Sequence, residues 1–363
     1  MIDDLGELVT CESFSGDLPA VARSAKVVGA LGTRLLGAEP EYLVLDGVTH
    51  LRWRFGTPRV LLLGHHDTVW PTGTLRTHPW SVVDGIARGP GVFDMKAGLV
   101  QLFHALSGLA DLDGVTVLVT GDEEVGSKTS SALIEDAARG LDAAFVLEAS
   151  ADGGALKTAR KGTSDYRVEV RGRAAHAGLE PWNGVNAGIE LAHQILAVAG
   201  LAELVDEPGL PRELATTVTP TVLSGGSTVN TVPAGARLGV DVRVATVAAQ
   251  ERVDTLMRGL TARLPGARVE VSGGPNRRPL EAASSAGLFA LAQRLSPVPL
   301  TQAHVGGASD GNFTAGVGCP TLDGLGAVGG GAHADHEHVV VAEMPRRAEL
   351  LRDLVGAVLG GAS

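Results

Sequence analysis

Only two cysteines, Cys11 and Cys319, stand in 363 residues. That is too few for a disulfide framework, and free thiols in a cytoplasmic protein are the expected reading. Positive charge is short as well. Thirty Lys and Arg face 41 Asp and Glu, a formal net charge of -11. Such a balance builds no basic groove, which sets nucleic acid aside as a partner. The N-terminus, MIDDLGELVTCESFSG, is acidic and lacks the cationic start and apolar core of a secretory leader. No stretch is read as approaching the ~20 apolar residues of a membrane span, so no membrane partner is expected. Internal repeats and low-complexity tracts are also missing. What the chain does have is glycine, 49 residues of it, as suits an α/β protein with many tight turns. Its length exceeds one ordinary core, so two domains are expected.

The first part alternates short apolar runs with helical spacing. RVLLLG (59–64), VTVLVTG (115–121) and AAFVLEA (143–149) read as buried strands. KAGLVQLFHALSGL (96–109) and SKTSSALIEDAARG (127–140) read as helices. That order argues a mostly parallel sheet covered by helices on both faces. Near residue 163 the pattern changes to strict alternation. Tyr166, Val168 and Val170 fall on one face, Arg167, Glu169 and Arg171 on the other, and ARLGVDVRV repeats the pattern. With helices at about 185–199 and 247–263, residues 163–277 predict a ferredoxin-like β-α-β-β-α-β insertion. Residues 1–162 and 278–363 would then form one catalytic domain, the latter with helices at 283–294 and 343–358.

The apolar run before Gly64 ends in His65-His66-Asp67. In an extended segment alternate residues share a face. His65 can therefore bind a metal while Asp67, on the same side, takes a hydrogen bond from its second ring nitrogen. His66 points into the fold. Asp94 lies in a glycine-rich loop before a helix. Asp122, Glu123 and Glu124 follow one buried strand, and Glu148 ends another. Parallel strands deliver such ends to one edge of the sheet. Carboxylates gathered there repel one another unless cations neutralise them. Singly, each motif also has a plain reading, Asp94 as a helix cap and Glu123-Glu124 as a solvated turn.

GHHDTV, GPGVFDMKAG, GDEEVGS, VLEAS, HAG, GGSTVNTVPA, DVR, GGASDGNF and GAHADHEHV occur in this order. The ordered set resembles the dinuclear zinc peptidases and deacylases that include carboxypeptidase G, acetylornithine deacetylase, succinyl-diaminopimelate desuccinylase and aminoacylase. The glutamate carboxypeptidase branch is the most similar. The resemblance covers nearly the whole chain and implies two zinc ions, with cobalt or manganese as alternatives. Asp94 would bridge them, His65 and Glu148 would complete one site, and Glu124 and His333 the other. Asp67 would orient His65, and Glu123 would be the general base. Of HADHEH only His333 is implied as a ligand, leaving His336 and His338 to solvent or packing. The peptide bond after Asp94 is implied to be cis.

The resemblance further implies that His176 donates to the oxyanion. Arg243 would hold the substrate carboxylate, helped by Asn230, Gly306 and Gly307, with Lys161 also in reach. A surface pair of Arg243 with Asp241 or Glu169 is the alternative. Trp70, Trp80 and Trp182 either line an acyl pocket or simply pack. The implied activity is hydrolysis of an amide or peptide bond to a C-terminal amino acid, on a small N-acyl amino acid or peptide. A biosynthetic N-acyl-amino-acid deacylase is the alternative, and an inactive amino-acid-binding relative is the remote one. Glu148, where aminopeptidase-like members tend to carry aspartate, favours the carboxypeptidase and deacylase side. A homodimer through the inserted domain, lending His176 across, is also implied.

Overall fold

The computed structural model describes residues 1–361 other than Asp206 and Pro208. The chain forms two compact units. One comprises Met1–Ala159, Glu281–His304 and Ser309–Ser363, the other Arg160–Leu280 with Val305–Ala308. The insertion read from sequence at 163–277 is thus slightly longer here, and the short glycine-bearing segment 305–308 goes with it.

The first unit is built on a six-stranded sheet in the order Glu41–Leu45, Val48–Arg54, Val115–Thr120, Val60–His65, Ala143–Val146, Thr321–Leu322. The last four strands run parallel. The first two form an antiparallel hairpin at one edge. Its two-residue turn, Asp46-Gly47, has φ of 48° and 86°, the left-handed pair that a tight hairpin requires and that Asp-Gly tolerates. The three central parallel strands are buried along their whole length. Alternate side chains feed two different cores. Val60, Leu62, Val117 and Phe145 join the helices Leu18–Leu36, Ala97–Ser107 and Met344–Leu359. Leu61, Leu63, Leu118 and Val146 join Ile134 and Phe313 on the other face. Continuous apolar runs are therefore the signature of strands covered on both sides.

A second, smaller sheet in this unit runs Gly329–Gly330, His338–Val340, Ile86–Arg88, Ser81–Val83. Its strands are too short to show a period, and sequence reading passed over them. They matter because they pair the segment before Asp94 with the segment after His333: His338 sits opposite Arg88 and Val339 opposite Ala87.

The second unit has the expected β-α-β-β-α-β order. Its four antiparallel strands lie Thr217–Gly225, Gly235–Val244, Gly162–Arg171, Arg268–Arg277. Tyr166, Val168, Val170, Leu238, Val240 and Val242 form a core with Leu191, Val253 and Met257 of the helices Ala187–Ala199 and Val247–Arg258. The second helix stops at Arg258 rather than near 263, because Gly259 terminates it.

One sequence expectation is corrected here. The helical run Ala187–Val205 is long and apolar enough, by length and composition, to cross a membrane. It is nevertheless two-faced. Ala187, Leu191, Val198, Leu201 and Val205 pack into the second core, and its buried polar side chains Glu190 and Gln194 are hydrogen-bonded to one another.

Candidate metal centre

Five chain segments of the first unit bring their polar residues together. His65 is the last residue of its strand. Glu148 lies two residues beyond Val146, and Glu123-Glu124 open a 3-10 turn just after Thr120. All three follow parallel strands at the same edge. Asp94 stands in the loop leading into the helix Ala97–Ser107, and its peptide bond to Met95 is cis. His333 comes from the loop after Gly329–Gly330, with φ of 61°.

The two oxygens of Asp94 divide the group in half. Oδ1 lies 3.3 Å from His65 Nε2, which is itself 3.5 Å from Glu148 Oε1. Oδ2 lies 3.3 Å from His333 Nε2, which is 3.1 Å from Glu124 Oε2. One carboxylate therefore serves two N/O clusters. His65, Asp94 and Glu124 offer ligand atoms within 4.8 Å of one another, and so do His65, Glu123 and Glu148. Glu123 thus stands beside the first cluster.

Three of these atoms, His65 Nε2, Asp94 Oδ1 and Glu124 Oε1, are buried and have no hydrogen-bond partner among the described residues. A buried polar atom left so costs ~1–3 kcal/mol. Cations between the carboxylates and imidazoles would satisfy all three. Mixed imidazole and carboxylate donors suit zinc-like ions, so the residues present fit such a pair.

The electrostatics point the same way. Burial lowers the pKa of His65, but Asp67, Asp94 and Glu148 outweigh it and hold the imidazole well above its ordinary value. Asp94 and Glu124 push His333 up to about 10. Asp94 is raised by burial yet kept far below its usual range by His333 and His65. Glu124 is raised, chiefly by burial. The field of these groups favours positive charge at both positions.

Asp67 lies against His65 through both its backbone and its side chain. His65 Nδ1 is 3.0 Å from the backbone oxygen of Asp67 but 3.5 Å from its carboxylate. The carbonyl is the acceptor. With Nδ1 donating to that carbonyl, Nε2 is the ring nitrogen turned toward Asp94 and Glu148. The carboxylate instead accepts the backbone N–H groups of Glu123 and Glu124, both at 3.2 Å, and the Ser15 hydroxyl at 2.7 Å. It holds the turn that carries the base candidate and a ligand. His66 packs inward as expected, with Nε2 3.0 Å from Thr49 O and Nδ1 3.3 Å from Ser24 Oγ.

The remaining candidates lie in the second unit. His176 is exposed, and its Nδ1 accepts the N–H groups of Gly178 and Leu179 at 3.1 Å. Its neutral form therefore presents Nε2–H as a donor. Asn230 lies on the facing segment, its backbone oxygen accepting Ala177 N at 2.8 Å. Arg243 grips Asp241 through Nε and Nη2 at 2.9–3.1 Å. This is the side-chain pair that sequence reading kept as the alternative to a substrate carboxylate. Lys161 is buried, donates to Ala215 O, and has its pKa lowered by burial and by Arg243. Gly307 O accepts from Arg160, and Gly306 and Gly307 are exposed.

Of the tryptophans, Trp70 donates its indole N–H to Glu337 at 2.7 Å. Trp80 packs against the first core, and Trp182 is 76% exposed. Glu337 itself was missed in sequence. It sits in HADHEH among three histidines that draw attention away, yet it is the only one of that motif's last three residues that is fully enclosed. His336 is exposed, and His338 Nδ1 turns to His336 O.

The model of Peptidase family M20/M25/M40 matches residues 61–357. Carboxypeptidase G2 of Pseudomonas sp. (strain RS-16) is 30% identical over 381 residues, covering 98% of this chain and 89% of that protein. A succinyl-diaminopimelate desuccinylase of Herminiimonas arsenicoxydans is 30% identical over 335 residues, 84% of this chain and 86% of its own. Among solved structures, aminopeptidase PepT from Bacillus cereus superposes with a TM-score of 0.73 at 21% identity, covering 98% and 97% of the two chains. The M20 family metallo-carboxypeptidase Sso-CP2 from Sulfolobus solfataricus gives 0.72 at 16%, covering 98% of each. At those identities the structures speak for the fold, while the family match and the sequence relatives speak for the class of chemistry. The chain belongs to peptidase family M20/M25/M40 and is a hydrolase of amide or peptide bonds.

Proposed function

We propose that the protein is a zinc-dependent carboxypeptidase-type amidohydrolase that releases a C-terminal amino acid from an acyl or peptidyl group. The observation that carries the reading is the division of Asp94 between two clusters, His65/Glu148 on Oδ1 and His333/Glu124 on Oδ2. Those five residues would hold two zinc ions, which when bound polarise a carbonyl and lower the pKa of water toward ~7. Glu123, on a turn pinned by Asp67, takes the proton of the attacking water and passes it to the leaving nitrogen. The Nε2–H of His176 donates to the developing oxyanion. Arg243 and Lys161 attract the free carboxylate of the released amino acid, with the backbone at Gly306-Gly307, next to Arg160, assisting, while Asn230, on the segment facing His176, acts with that histidine. Because Asp241 already occupies two guanidinium nitrogens, the substrate either takes Nη1 or displaces Asp241.

The match to carboxypeptidase G2 across 98% of the chain supports the carboxypeptidase reading, and the resemblance to the glutamate carboxypeptidase branch supports a glutamyl-type leaving group. Succinyl-diaminopimelate desuccinylases match at 30% identity over 84% of the chain or at 26–28% over 96–98%, which keeps a biosynthetic deacylase as the second reading. A panel of N-acyl-glutamates, aroyl-glutamates and N-succinyl or N-acetyl diamino acids, assayed with zinc-loaded enzyme, separates the two. The higher kcat/KM on glutamyl conjugates is expected. Preference for the succinylated or acetylated diamino acids would overturn the carboxypeptidase reading.

The proposal includes a homodimer in which His176 serves the partner's site. The second unit supports it with exposed apolar side chains near this loop, Leu179, Trp182 and Val229, and with Val222 and Leu223 on an edge strand. Edge strands and apolar patches are natural pairing surfaces. The test mixes two inactive variants, His176→Ala and Glu123→Gln, with subunit exchange verified. Action across the dimer restores about a quarter of wild-type activity, since random exchange makes half the dimers mixed and half their sites intact. No recovery after proven exchange would reject it.

A further inference from the structure

Glu337 is a buried carboxylate that none of the roles above employs. It is 4% exposed. Its Oε1 accepts Phe93 N at 2.8 Å and Asp94 N at 3.0 Å, and its Oε2 accepts Trp70 Nε1 at 2.7 Å and Gly91 N at 3.0 Å. All four partners are N–H donors, and each oxygen receives two of them. An ionised carboxylate is the group that can accept four bonds in this way.

The four donors belong to two chain segments, and Glu337 belongs to a third. Trp70 lies three residues beyond Asp67, on the segment that leaves the His65 strand. Gly91, Phe93 and Asp94 form the loop that presents the bridging carboxylate. Glu337 is four residues after His333, on a short turn closed by its own N–H to Ala334 O at 2.8 Å. One side chain therefore ties together the segments carrying His65, Asp94 and His333. The small sheet alone pairs only the flanks, His338 with Arg88 and Val339 with Ala87. The loop 89–94 has no regular backbone ladder, and three of its N–H groups depend on this carboxylate.

We infer that Glu337 is a positioning residue for the two-metal centre, fixing the loop of Asp94 against the loop of His333 so that both oxygens of Asp94 face their imidazoles. The inference rests on the two-zinc reading above. It goes beyond it in assigning zinc affinity to a carboxylate that touches none of the ligand atoms.

The test withdraws zinc from the loaded full-length enzyme with a competing chelator. Outer partners of metal ligands typically carry about 10–100-fold in metal affinity, and Glu337→Gln is expected to weaken zinc binding within that range. The glutamine presents an NH2 group to at least one N–H of the loop. Trp70→Phe removes one of the four bonds and leaves the loop contacts, so it should weaken zinc binding by less than Glu337→Gln. Glu337→Asp keeps the charge but draws it back, and should fall between wild type and Glu337→Gln. A purely structural role would instead lower thermal stability in the metal-free and zinc-loaded proteins alike and leave zinc affinity unmoved. That outcome would overturn the inference. Should Glu337→Gln not fold, the same ordering read from Glu337→Asp and Trp70→Phe decides, and zinc affinity equal to wild type in both refutes it. The wild-type protein separates the two claims: if it fails to hold two zinc ions, the two-zinc reading fails. If it holds two and the variants bind as tightly, only the role of Glu337 falls.

Discussion

Replacing Asp67 with asparagine tests the local architecture most sharply. The side chain is fully buried. Its oxygens accept Glu123 N, Glu124 N and Ser15 Oγ. In Asp67→Asn an NH2 group takes the place of one oxygen. If it replaces Oδ2, it faces the N–H of Glu124, while the Ser15 hydroxyl can turn and accept. If it replaces Oδ1, it faces the N–H of Glu123. Either way at least one backbone N–H in the turn loses its acceptor, which costs ~1–3 kcal/mol. The melting temperature of the zinc-free protein should fall by about 2–8 °C. His65 keeps its own acceptor, because that is the backbone oxygen of residue 67. The damage should therefore appear in the turn rather than at the imidazole. Hydrogen exchange read over residues 121–127 should accelerate in Asp67→Asn and stay near wild type in His65→Ala. Unchanged exchange in Asp67→Asn, with a melting temperature within a degree of wild type, would refute the claim that this carboxylate holds the turn.

Base and ligand should separate at neighbouring positions: Glu123→Gln is expected to keep both metals and lose about 10²–10⁴-fold in turnover, whereas Glu124→Gln should lose metal as well. Near-normal kcat in Glu123→Gln would place the base elsewhere. In the second unit, burial raises the pKa of Glu190, but the N–H groups of Leu264 and Arg263 and the Gln194 amide outweigh it and lower it below the ordinary 4.5. A depressed folded value means this contribution is present above pH 4.5 and fades as pH falls through the folded pKa. Glu190→Gln should cost about 1–3 kcal/mol at neutral pH and flatten the acid limb of melting temperature against pH. An identical acid limb in variant and wild type would count against the assignment.

Much of the centre was legible because its residues sit at strand ends. Continuous apolar runs ending in His65, Thr120 and Val146 announce strands covered on both faces, and parallel strands expose their C-terminal ends together. The alternation of Tyr166, Val168 and Val170 with charged residues gave the open-faced sheet of the insertion for an equally direct reason. What stayed hidden depended on contacts between distant segments. Spacing puts Asp67 on the face of His65, but cannot say that the carbonyl serves the imidazole while the carboxylate serves Glu123 and Glu124. Glu337 becomes meaningful only when the loop 89–94 folds over it. The strands Ile86–Arg88 and His338–Val340 have three residues each, too few for any periodicity. For Arg243 the sequence leaves open a substrate carboxylate or a surface pair with Asp241 or Glu169, and the structure pairs it with Asp241 two residues away.

The central claim is a two-metal centre shared across Asp94, and counting metal tests it most directly. Elemental analysis of the full-length protein, reconstituted with zinc and freed of loosely held ion, should give two zinc ions per chain, falling in Asp94→Asn, where the shared carboxylate is lost. Fewer than one zinc per chain in the wild-type protein, or an undiminished two in Asp94→Asn, would contradict it.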